Sequence, residues 1–479
     1  MSDPILSHHQ GGDSSSGGDP SVSIDASVRL PVLMLFGNAL HWLLIGSLIS
    51  LIASIKLSFP GFLSGVSFLG YGRLVEMARD LFLYGWASQA AIAAGIWLMA
   101  RFCERPLGGV ILRTLITSAV VLWNLAVLLG TLAIMAGYST GIEWLEYPGW
   151  ASAILLISFL LIGIWVVCLF DRRAGAASGA RAEAALWYLV AGFCCFPWVY
   201  GTANLLLVWK PIAASAQGAV QGWFCNGFLL LWLLPVSLGA LYGLLPRLHG
   251  RHLSHRNLAP LGFWLLILLG GWSGLGRLIG GPIPAWMCSA GIVAGVMLLI
   301  PVLIAVINLS ASGRGSTSGP CVAAGFLGSG LSLLLAAAIL GACLSLPGVS
   351  AFARFTSLTA SGDLLWLFGA VSFPLFGVLY LAIPPMLGRD GWHRTLSDLH
   401  YWLAFSGLCL MSALLVLDGL VAGLALLDPV VSFLNITSFM QPFHVLECAV
   451  WLFLLLPSAL IVTVHFTGAL ASGFLFPKK

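Results

Sequence analysis

The chain has 479 residues, of which 59% are hydrophobic and 8% charged, with a formal net charge of +4. That balance lies far outside the range of soluble domains and describes an integral membrane protein whose first partner is the lipid bilayer. With no loop beyond ~30 residues there is no room for a soluble catalytic domain, and no nucleic-acid partner is expected.

Residues 1–30, rich in Ser, Gly and Asp, read as a disordered cytoplasmic tail. A single membrane domain is expected over residues 31–479. No positive n-region or small-residue cleavage site precedes the first apolar stretch, so that stretch reads as a retained helix. Lipid offers backbone N–H and C=O groups no partner, so each span must be a helix of ~20 apolar residues. Twelve such spans are predicted, near 31–53, 82–102, 112–137, 149–170, 185–208, 219–245, 258–277, 284–309, 322–346, 362–386, 397–425 and 444–472. The fold class is therefore all-α, an integral membrane protein of twelve transmembrane helices.

Orientation follows from Lys and Arg near the span ends. With both termini on one side, that side carries Arg29, Arg101, Arg105, Arg113, Arg172, Arg173, Arg181, Arg247, Arg251, Arg256, Arg314, Arg389, Arg394, Lys478 and Lys479, which are 15 of 21. The other keeps Lys56, Arg73, Arg79, Lys210, Arg277 and Arg354. Both termini are expected in the cytoplasm.

Gly is abundant at 56 residues, and Ala94-Gly95 and the cluster Gly325, Gly328 and Gly330 read as helix-packing faces. Trp144, Trp150, Trp198, Trp286 and Trp392 read as anchors near span ends. The ten cysteines form no CxxC or CxxCH, so neither a disulfide framework nor a covalent heme is indicated. No P-loop, dinucleotide-binding fingerprint or HExxH is present. His249, His252 and His255 recur every three residues between Arg247, Arg251 and Arg256, where a basic loop against lipid headgroups is expected over a metal site. Ionisable groups inside the membrane are costly and mark candidate functional positions. Here they are His41, Asp363, Asp418 and Glu447, either as a proton or ion relay or as carboxylates reaching water or a backbone amide.

Several segments carry a family resemblance. They are Asn38-Ala39-Leu40-His41-Trp42, Gly72-Arg73-Leu74, Phe196-Pro197-Trp198, Gln221-Gly222-Trp223-Phe224, Gly280-Gly281-Pro282-Ile283-Pro284-Ala285-Trp286 and Leu399-His400-Tyr401-Trp402. In this order the chain resembles subunit I of the heme–copper oxidases, closest to the C-type (cbb-type) cytochrome c oxidases. The resemblance implies a twelve-helix subunit I-like bundle, heme b and copper as the family's cofactors, and partners such as a membrane-anchored cytochrome c.

It also implies six histidine ligands, since neutral imidazole suits iron and copper. Counting from Gly72 puts a low-spin heme ligand at Ala78, and counting from Trp223 puts a copper ligand at Asn226. Two more copper positions fall on Gly276 and Arg277, and the last two heme positions on Gly362 and Leu364. None is a histidine, so no catalytic residue, metal or bound cofactor is expected from this chain. Met77 and Cys225 are the nearby groups that could replace a heme ligand. His41, His400, His444 and His465 are the histidines near spans, and His444 and His465 stand too far apart along one helix to share a heme.

The expectation is an oxidase subunit I-like membrane subunit of a bacterial respiratory complex in the cytoplasmic (inner) membrane, acting as a non-catalytic scaffold. An active terminal oxidase with displaced ligands, and a transporter or channel reusing the vacated cavity, are the alternatives. A polar cavity would favour transport; one closed by Leu275, Leu364 and Phe228 would favour the inert scaffold.

Overall fold

The computed structural model describes residues 20–171, 183–250, 252–313, 321–389 and 391–475. Twelve helices in it are long and apolar enough to cross a membrane. They are α1 (Pro20–Ser58) and then α2 (Tyr71–Phe102), α3 (Val110–Ala136), α4 (Gly149–Asp171), α5 (Glu183–Trp209) and α6 (Ala214–Leu248). The second half comprises α7 (Leu258–Leu278), α8 (Ala285–Ala311), α9 (Val322–Ser345), α10 (Ser357–Met386), α11 (Arg394–Leu426) and α12 (Phe433–Ser472). Each corresponds to one predicted span, because a continuous apolar run has no other way to satisfy its backbone in lipid.

Three helices form the interior. α2 and α6 are buried along all of their most apolar stretch and α10 along 83% of it, against 28–50% for the other nine. Every fourth helix is thus wrapped by its neighbours. The three meet through Trp86 Nε1, which donates to Ser372 Oγ (2.8 Å), Ser237 Oγ, which donates to the Val371 carbonyl (3.3 Å), and the Tyr84 and Phe228 rings at 5.5 Å. Small residues let outer helices close on these three: a Cβ on Gly95 of α2 would lie 2.3 Å from Phe193 of α5, and one on Gly330 of α9 2.7 Å from Pro374 of α10. Gly328 has open space and is no packing position.

Two expectations change. Residues 1–19 lie outside the described residues, but residues 20–30 are helix, not tail. The reason is a buried charge. Arg101 Nε donates to Asp25 Oδ1 (2.7 Å), a second guanidinium nitrogen reaches Asp25 Oδ2, and Trp97 Nε1 also donates to Asp25 (3.1 Å). Ser27 Oγ accepts from the Leu107 amide at 2.8 Å. An unpaired guanidinium there would be costly enough to order the segment that neutralises it.

The tryptophans divide as well. Trp150, Trp198 and Trp286 are exposed as anchors should be, whereas Trp144 is buried and Trp392 donates to the Tyr380 carbonyl at 3.0 Å. The six cations of the less basic end are largely occupied inside the protein. Lys56 donates to the Phe62 and Leu63 carbonyls, and Arg73 to those of Ser67 and Met135. Arg79, Arg277 and Arg354 belong to the site described next.

Candidate functional site

Departures from α geometry cluster beside the positions that the resemblance singles out. A π-helical stretch, Leu81–Ala87, follows Ala78; another, Phe228–Leu233, follows Asn226; a third, Leu365–Ser372, follows Gly362 and Leu364. Gly276 and Arg277 lie in a 3-10 turn, Ser273–Leu278, and Trp451–Leu455 follows Glu447 in α12. Such wide or tight turns re-aim side chains and are frequent at functional sites.

The loop over residues 137–148 folds back into that end of the bundle instead of lying on the surface. Leu145, Glu146 and Tyr147 are essentially inaccessible. Thr140 holds the turn: its Oγ1 donates to the Leu145 carbonyl (2.7 Å), and its amide to that of Glu146 (3.1 Å). Trp144 has φ +68°, a left-handed conformation costly for a bulky residue. Its ring stands edge-on to Phe228, and Tyr84 Oη donates to its carbonyl.

The loop delivers two carboxylates to Arg79. Arg79 Nη1 donates to Glu146 Oε1 at 2.9 Å and lies 3.5 Å from Glu143 Oε1. Burial raises the Glu146 carboxyl from its ordinary 4.5 to about 7, with the Arg79 charge opposing that rise. Asp80 beside it is fully buried.

Glu143 also lines a cavity of about 270 Å³. The same cavity is lined by Asn226, Gly276, Arg277, Gly362 and Asp363, so residues from α6, α7 and α10 converge on one space. Arg277 Nη2 donates to Asp363 Oδ1 at 2.9 Å across it. Arg354 Nη1 donates to the Ile279 carbonyl, and Ser273, Ser345, Ser350 and Thr359 add to the polar lining. The expected apolar closers Leu275, Leu364 and Phe228 do not line it.

Heme iron and copper require imidazole or comparable donors, and these residues do not supply them. Among the described residues no group of three or more His, Cys, Asp or Glu is placed to hold a metal. Arg277 keeps its proton and is committed to Asp363. Gly276 packs its backbone on α8, where a Cβ would meet Gly291 and Ile292 at 3.1 Å, and a Cβ on Gly362 would meet Leu344 at 3.2 Å. Ala78 and Leu364 stand apart from this cavity. Leu364 instead lines an apolar space of about 50 Å³ with Phe368 and Trp451, beside which Phe82 stacks on Trp451 and stands edge-on to Phe368. That volume is far below the ~300–1,000 Å³ of ordinary cofactor and ligand sites.

The remaining candidates scatter. His41 is exposed, with Nδ1 2.7 Å from the Gly37 carbonyl of its own helix. His400, about two turns into α11, is fully buried, with Nδ1 2.9 Å from Tyr380 Oη. His465 Nε2 accepts from the His393 amide at 3.2 Å. Asp418 accepts from Ser357 Oγ, and Glu447 Oε1 is buried without a partner. Met77 is buried, and Cys225 Sγ lies 3.7 Å from the Glu143 carbonyl. The backbone at His255 is pinned to Asn308, while Arg251 lies outside the described residues. Glu143, Glu146, Ser273 and Arg354 were not singled out from sequence; the one available signal was an acidic pair, Glu143 and Glu146, in a loop between apolar spans.

Comparison with known proteins agrees with this architecture. Over 440 residues the chain is 25% identical to "Cytochrome c oxidase subunit 1" of Rhodobacter capsulatus, covering 85% of this chain and 78% of that protein. It is 23% identical to "Cbb3-type cytochrome c oxidase subunit CcoN1" of Stutzerimonas stutzeri, covering 80% and 81%. It is likewise 23% identical to "Cytochrome c oxidase subunit 1 homolog, bacteroid" of Bradyrhizobium diazoefficiens, covering 86% and 77%. Residues 31–453 match the family described as Cytochrome C and Quinol oxidase polypeptide I, and with twelve membrane-length helices around an inner three the chain belongs to that family.

Proposed function

We propose that this protein is a subunit I-like component of a membrane respiratory complex in which an ion-paired cavity stands where the family resemblance would place redox ligands, so that it acts as a non-catalytic scaffold. The observation that carries this reading is the Arg277–Asp363 pair at 2.9 Å, placed where Asn226, Gly276 and Gly362 converge. A guanidinium that stays protonated repels a metal cation and cannot ligate it. The relatives' names, which describe oxidase subunits, support membrane partners for this chain, with a membrane-anchored cytochrome c among the natural ones. The bias of Lys and Arg toward one end supports cytoplasmic termini.

The polar lining favours a second role for the cavity, in binding a solute or ion. Contacts among the inner helices through Trp86, Tyr84 and Phe228 support a closed binding space over a path across the bilayer. The test is a dithionite-reduced minus oxidised spectrum of the purified chain, with pyridine hemochrome and copper analysis. An empty spectrum is the expected result; stoichiometric heme b or copper would overturn the scaffold reading and revive an oxidase with displaced ligands.

A further inference from the structure

α1 turns one continuous stripe away from the bundle. His41, Ile45 and Leu48 are exposed and Met34, Asn38 and Ile52 half-buried, while none of the positions between these six is exposed. The rest of the helix packs chiefly on α2 and α12. The six recur at steps of four, three, four, three and four residues, the heptad spacing that keeps one line of side chains facing a partner helix. Asn38, Ile45 and Ile52 then take the a positions, and Met34, His41 and Leu48 the d positions. Ile at a with Leu at d favours parallel two-stranded coils, and a lone Asn at a sets their register.

The apolar members of the stripe need no partner, because lipid suits them as well as protein does. Asn38 and His41 do need one. The uncharged run between Arg29 and Lys56 rises ~40 Å at ~1.5 Å per residue, and both side chains leave it within ~7 Å of its middle. His41 Nδ1 lies 2.7 Å from the Gly37 carbonyl. A carbonyl only accepts, so in the neutral ring Nδ1 holds the proton and Nε2 is a bare acceptor. Among the described residues nothing pairs with Nε2 or with the Asn38 carboxamide. Polar groups left unpaired at that depth are costly.

We propose that α1 is the contact between two copies of this protein lying side by side in the membrane, a parallel two-stranded coil in which Asn38 of each copy donates to His41 of the other. A side chain at a fills a hole made by four residues of the facing helix, which for Asn38 are Met34, Gly37, Asn38 and His41 of the second copy. The carboxamide brings N–H donors to the bare Nε2, and a two-fold axis along the bilayer normal makes the bond twice. Two copies inserted the same way hold these residues at one depth. A different subunit's helix would need its own donor there, whereas this stripe matches itself in both hydrogen bonding and heptad register.

Asn38 and His41 do not line the cavity, so the contact fails separately from the scaffold reading, whatever the heme or copper content. The experiment is subunit counting of the full chain in lipid vesicles by single-molecule photobleaching over a range of lipid-to-protein ratios, with disulfide trapping alongside. A dimer that dissociates on dilution into lipid is expected. Asn38→Leu should weaken it about three- to thirtyfold for each of the two symmetric bonds, the range of an interhelical hydrogen bond in a membrane. His41→Leu should act similarly, and the double variant should do little more than either alone, since both changes remove the same bond. Ile164→Ala, equally lipid-facing on α4, should change nothing. Ile45→Cys should form a disulfide between copies above the wild-type background, because a faces a across the axis, and Ile164→Cys should not. Monomers at every ratio would leave the stripe to another subunit's helix and overturn the proposal. So would undiminished association in Asn38→Leu, or trapping of Ile45→Cys no greater than that of Ile164→Cys. If His41→Leu does not fold, Asn38→Leu and Ile45→Cys decide it.

Discussion

Arg79 and Glu146, 67 positions apart in the chain, share a hydrogen bond of 2.9 Å that ties the first turns of α2 to the buried loop above the cavity. Glu146 is 1% exposed, and burial holds its carboxyl at about 7 against an ordinary 4.5. An acid whose folded value is raised favours the protonated fold. Its contribution is therefore intact below pH 4.5 and is lost as pH rises toward about 7. Thermal unfolding in detergent across that window should show a falling midpoint, flattened in Glu146→Gln. Equal slopes in the two proteins would show that this carboxyl does not carry the effect.

The α7–α8 contact predicts a sharp contrast between two glycines. A Cβ on Gly291 would sit 2.2 Å from the Gly276 nitrogen, while one on Gly328 meets nothing within 4 Å. Gly291→Ala should destabilise by roughly 1–3 kcal/mol through forced backbone movement. Gly328→Ala should be neutral or stabilising by up to about 1 kcal/mol, because alanine restricts the unfolded chain more. Denaturation midpoints measured side by side would check both, and similar losses in the two variants would contradict the packing described.

Removing the Asp25 carboxylate leaves Arg101, itself 3% exposed, without its carboxylate. Breaking a buried pair on one side costs about 3–5 kcal/mol. Asp25→Ala should lower stability by that order and expose residues 20–30 to protease. The double variant Asp25→Ala/Arg101→Met should recover much of the loss. Unchanged protection of the N-terminal turns in Asp25→Ala would mean that the pair does not order them.

Restoring histidines should not restore heme. In Ala78→His/Leu364→His, the packing of Phe82 against Phe368 and Trp451 leaves only the small space of about 50 Å³ beside position 364. A pyridine hemochrome assay is expected to stay at background in that variant. A stoichiometric signal would show that these rings yield readily and that loss of ligands alone emptied the site.

The spans were legible in sequence because hydropathy alone decides which segments enter lipid. The interior was less so. Nothing near Asp25 announces Arg101, 76 residues later, so the start of α1 read as tail. Trp144 sits at a span end by position, and only its left-handed backbone turns it inward. The convergence of Asn226, Gly276, Arg277 and Gly362 was foreshadowed only by the family resemblance, which singled out these positions. Arg354 enters the same cavity from the connection before α10. Charge partners chosen across tertiary distance leave no local trace.

The π-helical stretches of the inner helices carry a consequence for tolerance to insertion and deletion. In an α-helix, removing one residue rotates everything beyond it by about 100° and would drive the buried faces of α2, α6 or α10 out of register. A turn that already holds a surplus residue can lose one by tightening to α, so the rotation is absorbed within it. Leu81–Ala87, Phe228–Leu233 and Leu365–Ser372 are thus the slack points of a tightly wrapped interior. Changes in chain length within the inner helices should be survivable there first, and fatal a turn away.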